Sequence, residues 1–131
     1  MQHSFKICKK NKLILRKIRG NITLDDFKTI LNEASNMDDY DANFRAIIDY
    51  RGSHVTSSIQ EYSSFLKTFN KANYHKNTKI FIIDNPSVFV ACNLFKDILE
   101  SKNTYLFSSP IAALQHLGLQ EKTGEFLEFI K

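Results

Sequence analysis

The apolar positions along the chain alternate between strand-like and helix-like spacing. Two short runs of apolar and β-branched residues, 5–8 and 13–18, flank Lys10-Asn11-Lys12, a pattern that predicts a β-hairpin with a polar turn. Gly20-Asn21 then ends the second predicted strand. From residue 24 onward the apolar positions recur at intervals of three and four residues, which predicts a first helix over residues 24–36 and then an acidic loop.

Hydroxyl side chains mark the predicted starts of the first two helices. Thr23 and Asp26 fit a capping box for the first helix. The cluster Thr56-Ser57-Ser58 precedes an apolar stripe at helical spacing, which predicts the second helix. Its capping box is either Ser57 with Gln60 or Ser58 with Glu61, and the sequence leaves both alternatives open.

The remaining elements continue the alternation. Continuous apolar runs at residues 45–49 and 79–84 predict strands that are buried on both faces. A helix over residues 87–101, a short strand over residues 105–107 and a helix ending at Gly118 follow. The element order is therefore ββαβαβαβα. It predicts an α/β domain with a mixed, mostly parallel sheet, an N-terminal antiparallel hairpin and helices packed on the sheet.

Length and composition are those of one globular domain with an additional apolar tail. The chain has 131 residues, of which 43% are hydrophobic and 24% charged, so it can fill one core but not two. We predict a single domain over residues 1–119 and a C-terminal extension over residues 120–131. Because Phe126 and Phe129 need burial, the extension is expected to pack on the domain or on a neighbouring chain, where it would form a homodimer contact.

The net charge of +4 comes from one short segment. Residues 1–19 contain seven basic and no acidic side chains, whereas the rest of the chain contains 11 basic and 14 acidic ones. Such a polarised chain argues against a nucleic-acid ligand. The basic hairpin could contact an acidic protein, a nucleic acid or an anionic membrane. The favoured interpretation is a solvated edge, protected by lysines against strand-to-strand aggregation.

Several classes of protein are disfavoured by what the sequence lacks. No apolar run approaches the roughly 18 residues of a membrane span, and the first residues lack the apolar core of a secretory signal. We therefore expect a cytoplasmic protein without membrane insertion. Cys8, Cys92 and the four histidines show no metal-ligand spacing, and the four glycines form no phosphate-binding loop. We expect no metal and no cofactor.

Four local stretches, taken in order, resemble the STAS domain, the fold named for sulphate transporters and anti-sigma factor antagonists. They are GNITLDDF at residues 20–27, AIIDYRG at residues 46–52, a helical stretch at residues 89–95 and AALQHLG at residues 112–118. The similarity spans residues 5–119 and is closer to the SpoIIAA-like bacterial proteins, many of which have no assigned function. The resemblance implies a STAS-like fold and a non-enzymatic protein-interaction or regulatory module with a protein partner.

In phosphoregulated members of this family, a partner kinase phosphorylates a serine at the start of the second helix, and this decides which partner is bound. The resemblance places that serine at Ser58, but Ser57 replaces the family's preceding aspartate and Gln60 replaces its glycine. The plain alternative is that these hydroxyls only cap the helix. We predict an interaction surface over residues 51–61. Its candidate phosphoacceptor and contact residues are Arg51, His54, Thr56, Ser57, Ser58 and Glu61.

Two other functions remain as alternatives. Asp49 and Asp84 end predicted parallel strands at the edge where open α/β sheets bind ligands, and with Arg51 and His54 they could form a catalytic site. This enzyme hypothesis requires those side chains to converge in a concave site. A carrier of a small apolar ligand, similar to the CRAL-TRIO lipid carriers, requires an enlarged cavity between sheet and helices. A filled core beneath an exposed turn at residues 56–58 favours the interaction module.

Overall fold

The computed structural model describes residues 1–35, 44–69 and 77–118, together with residues 126, 128 and 129. The predicted acidic loop, residues 37–43, and most of the predicted C-terminal extension lie outside the described residues. The main elements are, in chain order, β1 (Gln2–Cys8), β2 (Leu13–Ile22), α1 (Leu24–Ser35), β3 (Arg45–Asp49), β4 (Ser53–Val55), α2 (Ile59–Thr68), β5 (Lys79–Ile82), α3 (Pro86–Ile98), β6 (Thr104–Phe107) and α4 (Pro110–Leu117).

The strands form one mixed sheet in the order β1-β2-β3-β5-β6. The β1–β2 pair is antiparallel, and the β2–β3, β3–β5 and β5–β6 pairs are parallel. The predicted α/β class, the antiparallel hairpin and the mostly parallel sheet are therefore confirmed. Parallel neighbours require a crossover, and helices supply it between β2 and β3 and between β5 and β6.

The predicted element order was wrong in one respect, because the chain contains a short strand, β4, that the sequence pattern did not indicate. The prediction also ended β2 too early, since the strand continues through Gly20-Asn21 to Ile22. Gly20 has a φ of 92°, which a glycine adopts without strain, and its amide donates to the carbonyl of Gly52 at 3.0 Å. The last part of β2 then pairs with β4 in parallel.

The two faces of the sheet carry different layers. On one face, α1, α2 and α3 pack against apolar side chains such as Ile14, Ile18 and Phe81. On the other face, Ala113 and Leu114 of α4 pack against Leu13, Leu15, Ile47, Ile80 and Ile82. Alternate residues of a strand point to opposite faces, so the continuous apolar runs fill both layers.

The helix starts follow the predicted capping chemistry. In α1 the Thr23 amide donates to the Asp26 carboxylate at 2.8 Å and the Asp26 amide donates to the Thr23 hydroxyl at 3.1 Å, which confirms the predicted capping box. α4 ends at Gly118, whose φ of 69° is typical of a left-handed C-terminal residue. Among the described residues, no helix is both long and apolar enough to cross a membrane.

Two residues of the predicted C-terminal extension are placed against this domain. Phe126 is only 3% exposed and packs with Leu13, Leu15, Ile47 and Leu114 on the α4 side of the sheet. The ring of Phe129 lies 5.9 Å from the ammonium group of Lys17. The boundary at residue 119 stays a prediction, since residues 119–125 are not described.

A buried arginine on β2 joins the N-terminal strand to the first helix. The Arg16 guanidinium donates to the His3 ring nitrogen Nε2 at 3.1 Å, to the Ile30 carbonyl at 3.2 Å and to the Glu33 carboxylate at 3.2 Å. His3 Nδ1 lies 3.4 Å from the same carboxylate. Burial, and then the positive charge of Arg16, lower the pKa of His3 from its usual 6.5 despite the opposing effect of Glu33.

This arrangement predicts that acid weakens the fold through His3. Because the pKa of His3 is lower in the folded chain, the unfolded chain takes up its proton first, and the free energy of unfolding falls as pH drops below 6.5. Urea titrations at about pH 7.5 and about pH 5.5 should show this loss, and it should be smaller in a His3→Gln variant. His54→Gln is the control, because it keeps the His3 contacts. An unchanged pH dependence in His3→Gln would contradict the prediction.

Candidate functional site

The side chains predicted at the end of β3 form a compact ionic cluster. One carboxylate oxygen of Asp49 accepts from Arg51 Nε at 3.0 Å and from the Arg51 amide at 3.1 Å. The other accepts from Arg19 Nη2 at 2.7 Å and from Arg51 Nη2 at 3.1 Å. Arg19 also donates to the backbone carbonyls of Ile18 and Asp49, both at 3.0 Å. Sequence reasoning missed Arg19, which lies on β2.

Burial and charge give this cluster a structural role. The Asp49 side chain is 0% exposed, so its charge needs partners, and two guanidinium groups supply them. The hydrogen bonds that the Arg51 side chain donates to Asp49 raise the pKa of Arg51, and so do the negative charges of Asp49 and Asp84. Both carboxylate oxygens of Asp49 are already engaged, whereas a general base needs an oxygen facing its substrate. The cluster links the end of β3 to β2, next to the position where β2 stops pairing with β3 and begins to pair with β4.

Asp84 reaches the same turn from β5, but by a different contact. Its carboxylate oxygens accept from the Gly52 amide at 3.2 and 3.3 Å. Asp84 itself is exposed, unlike Asp49. The structure therefore brings Asp49, Arg51 and Asp84 to one turn, and these contacts hold the turn closed.

The hydroxyl cluster before α2 divides into different roles. Ser58 is the N-cap, since its hydroxyl accepts from the Glu61 amide at 3.1 Å, which decides between the two predicted capping arrangements. Thr56 donates its hydroxyl to the Ile22 carbonyl at 3.2 Å. Ser57 Oγ is buried and has no hydrogen-bond partner within the described ranges. Thr56 and Ser58 are exposed, so this turn faces solvent.

Ser87, which is not among the residues predicted from the sequence, connects the same turn to the third helix. The Val55 amide donates to Ser87 Oγ at 3.0 Å, and His54 Nδ1 lies 3.3 Å from this oxygen. The Ser87 hydroxyl in turn donates to the Asn85 side chain at 2.5 Å. The predicted contact residue His54 is thus held at the start of α3. The only available signal was the helix-opening sequence Asn85-Pro86-Ser87.

An open groove of about 240 Å³ runs between α2 and α3 beside this turn. Ser57, Ser58 and Ser87 are among the residues that line it. Ile59 and Val90, on opposite sides of the groove, are 61% and 38% exposed. The apolar and aromatic residues of the lining are Val55, Ile59, Tyr62, Pro86, Val90, Ala91 and Leu94. Of the predicted surface over residues 51–61, only Val55, Ser57, Ser58 and Ile59 line this groove, and sequence reasoning missed the wall that α3 supplies.

The strand-end carboxylates and the described cysteine and histidine side chains do not line this groove. Asp49, Arg51 and Asp84 do not line the α2–α3 groove. Within residues 1–35, 44–69, 77–118 and the described C-terminal positions, no three histidine, cysteine or acidic side chains are grouped as metal ligands. Cys92 is buried in the core, and burial strongly raises the pKa of its thiol.

No protein-family model matches this sequence, and a search of curated proteins gives no match.

Proposed function

We propose that this chain is a cytoplasmic, non-enzymatic STAS-like module that binds a protein partner at the start of α2 and in the α2–α3 groove. The mixed sheet, its N-terminal hairpin and the alternating helices support the STAS-like part of the proposal. The family resemblance supports the choice of the second helix, because phosphoregulated members use a serine at its start.

The observation that carries the proposal is an exposed apolar groove beside a hydrogen-bonded polar turn. Ile59 and Val90 expose large apolar side chains on the two walls of the groove. Exposed apolar surface rimmed by polar groups is typical of protein-binding sites. The turn is held by the Ser58 cap and by the Ser87 contacts to β4, so the groove is preorganised for a partner.

Within this proposal, Ser58 is the better phosphoacceptor of the two candidate serines. Its side chain is on the exposed side of the turn, whereas Ser57 Oγ is buried. A phosphate on Ser58 would lie at the N-terminus of α2, where free amides and the helix dipole stabilise negative charge. It would also place that charge at the rim of the groove and thereby change which partner surface fits.

The carrier alternative is ranked lower for two reasons. The groove opens to solvent between two helices and does not lie between helices and sheet, where a carried ligand was expected. Its volume of about 240 Å³ is also below the roughly 300 Å³ at which enclosed ligand pockets begin. The core between the sheet and these helices contains the buried aromatic side chains of Tyr62, Phe81 and Phe95.

Charging the groove should prevent partner binding. We expect Ile59→Glu and Val90→Glu each to lower the yield of a cross-linked partner about tenfold, because a carboxylate cannot be desolvated in an apolar contact. The measurement is cross-linking in the protein's own cells, followed by mass spectrometry that maps the linked residues and locates any phosphate. Cross-links should map to α2 and α3, and the phosphate should lie on Ser58.

Ile111→Glu is the matched control, since Ile111 is 56% exposed on α4, away from the groove. It should leave the yield unchanged, and all three variants should keep the melting temperature of the parent chain within a few degrees. Equal yields from Ile59→Glu and the parent chain would refute the docking site. Phosphate on Ser57 in place of Ser58 would refute the assignment of the phosphoacceptor.

A further inference from the structure

The two halves of β1 are attached to the domain in different ways. Among residues 2–5, only His3 is partly buried, and the other three side chains are exposed. In the second half of the strand, Ile7 packs against the core beneath α1, α2 and α3, and Cys8 packs against the core beneath α4. Besides their backbone pairing with β2, residues 2–5 therefore depend chiefly on the contacts of His3.

The contacts of His3 require its uncharged form. Arg16 Nε donates to His3 Nε2 at 3.1 Å, so this ring nitrogen must offer a lone pair. The proton of the neutral ring then lies on Nδ1, which is 3.4 Å from the Glu33 carboxylate. Protonation of Nε2 would turn an N–H group toward the N–H group of Arg16 and place two positive charges side by side. A charged His3 therefore loses this contact.

Among the described residues, the charged groups that face His3 come from two elements. Arg16 of β2 is only 6% exposed, and its guanidinium keeps its charge at any pH near neutrality. Burial raises the pKa of Tyr50, which interacts with Arg16, so that phenol stays neutral. Glu33 of α1 attracts a protonated ring, but its side chain is half exposed and water weakens the attraction. The repulsion by Arg16 affects the pKa of His3 more than Glu33 does.

We propose that His3 is an acid-sensitive switch whose protonation releases residues 2–5 from β2, while Ile7 and Cys8 keep the second half of β1 in place. The release uncovers the Arg16 guanidinium and the outer edge of β2 at residues 16–19, which pair with residues 2–5 in the closed form. It is a local opening of the sheet, unlike the loss of global stability predicted above. His3 and Arg16 do not line the α2–α3 groove, so the switch is independent of the proposed function.

Hydrogen exchange of single amides in the full-length chain, followed by NMR spectroscopy, tests the proposal. After correction for intrinsic rates, the opening of residues 2–5 should become up to about tenfold more frequent between about pH 7.5 and about pH 5.5, because the pKa of His3 returns to its usual 6.5 on release. Low concentrations of urea should not change this opening, since it exposes little surface. The paired amides of residues 7–8 and of β3 should instead exchange through larger, urea-dependent openings.

Two histidine variants assign the response to acid. His3→Gln keeps an uncharged acceptor beside Arg16 at both values of pH, so its opening should no longer respond. His54→Gln is the matched control, because His54 is exposed beside Ser87 and away from β1, and it should respond like the parent chain. An equal frequency of opening at both values of pH, or a response that survives in His3→Gln, would overturn the proposal. Urea-dependent exchange of residues 2–5 that matches β3 would also overturn it, since β1 would then leave the sheet only on global unfolding.

Discussion

Replacing Asp49 with asparagine should lower the free energy of unfolding by about 3 kcal/mol. Asp49 is completely buried between Arg19 and Arg51, and its two carboxylate oxygens accept hydrogen bonds from both guanidinium groups. Asparagine removes the negative charge and turns an amide donor toward one of the two arginines. Both guanidinium groups then lose the buried carboxylate that they share, and removing one partner of a buried ion pair is the costly change.

Urea unfolding followed by circular dichroism measures this loss, with the slope of the transition compared to show that the variant still folds cooperatively. Asp97→Asn is the control, since Asp97 is exposed on α3, and it should change stability by no more than about 0.5 kcal/mol. If Asp49→Asn lowered the free energy of unfolding by less than about 1 kcal/mol, the ionic cluster would not stabilise the fold as argued.

Phe126→Ala should also destabilise the domain by about 3 kcal/mol. The Phe126 ring is 3% exposed and covers Leu13, Leu15 and Ile47 on the face of the sheet that α4 covers only in part. Alanine would lose the apolar contacts of the ring and leave a cavity or an exposed apolar surface in its place. Thermal unfolding and light scattering together would register the lower stability and any association through the uncovered face.

The matched control is the same substitution at Phe89, which is 50% exposed on α3. Phe89→Ala should cost no more than about 1 kcal/mol, because its ring is only half removed from water. If Phe126→Ala unfolded at the parent temperature and kept the parent mass, the packing of the C-terminal segment on its own domain would be refuted. If its mass alone changed, the segment would instead serve a contact between chains.

The larger elements were predictable because their apolar patterns are strong and local. The helical stripe of α3 and the apolar run of β3 each carry enough residues to indicate their type, and β3 occupies its predicted bounds. β4 was not predictable, because Ser53-His54-Val55 contains no apolar alternation. It forms only because the end of β2 offers an unpaired edge, which is a tertiary cause.

The candidate site was predicted only in part for the same reason. The types of residue at the end of β3 suggested a polar cluster, but the partner that engages Asp49 most closely, Arg19, is 30 residues away in sequence. A carboxylate held by two arginines and one held ready for a substrate have the same sequence signature. One wall of the groove is formed by Val90 and Leu94 of α3. That these residues face α2 is a result of tertiary packing, so the sequence of α2 could not indicate it.

The long strand β2 has a consequence for the order in which this protein is made. Synthesis delivers the β1–β2 hairpin before β3 and β4, so the other edge of β2 is paired only after residues 45–49 and 53–55 have emerged. Until then, the apolar side chains of Leu13, Ile14 and Leu15 belong to a nascent strand with one open edge. The exposed lysines of the adjacent turn then act as gatekeepers against pairing between nascent chains, before the domain exists to shield the strand itself.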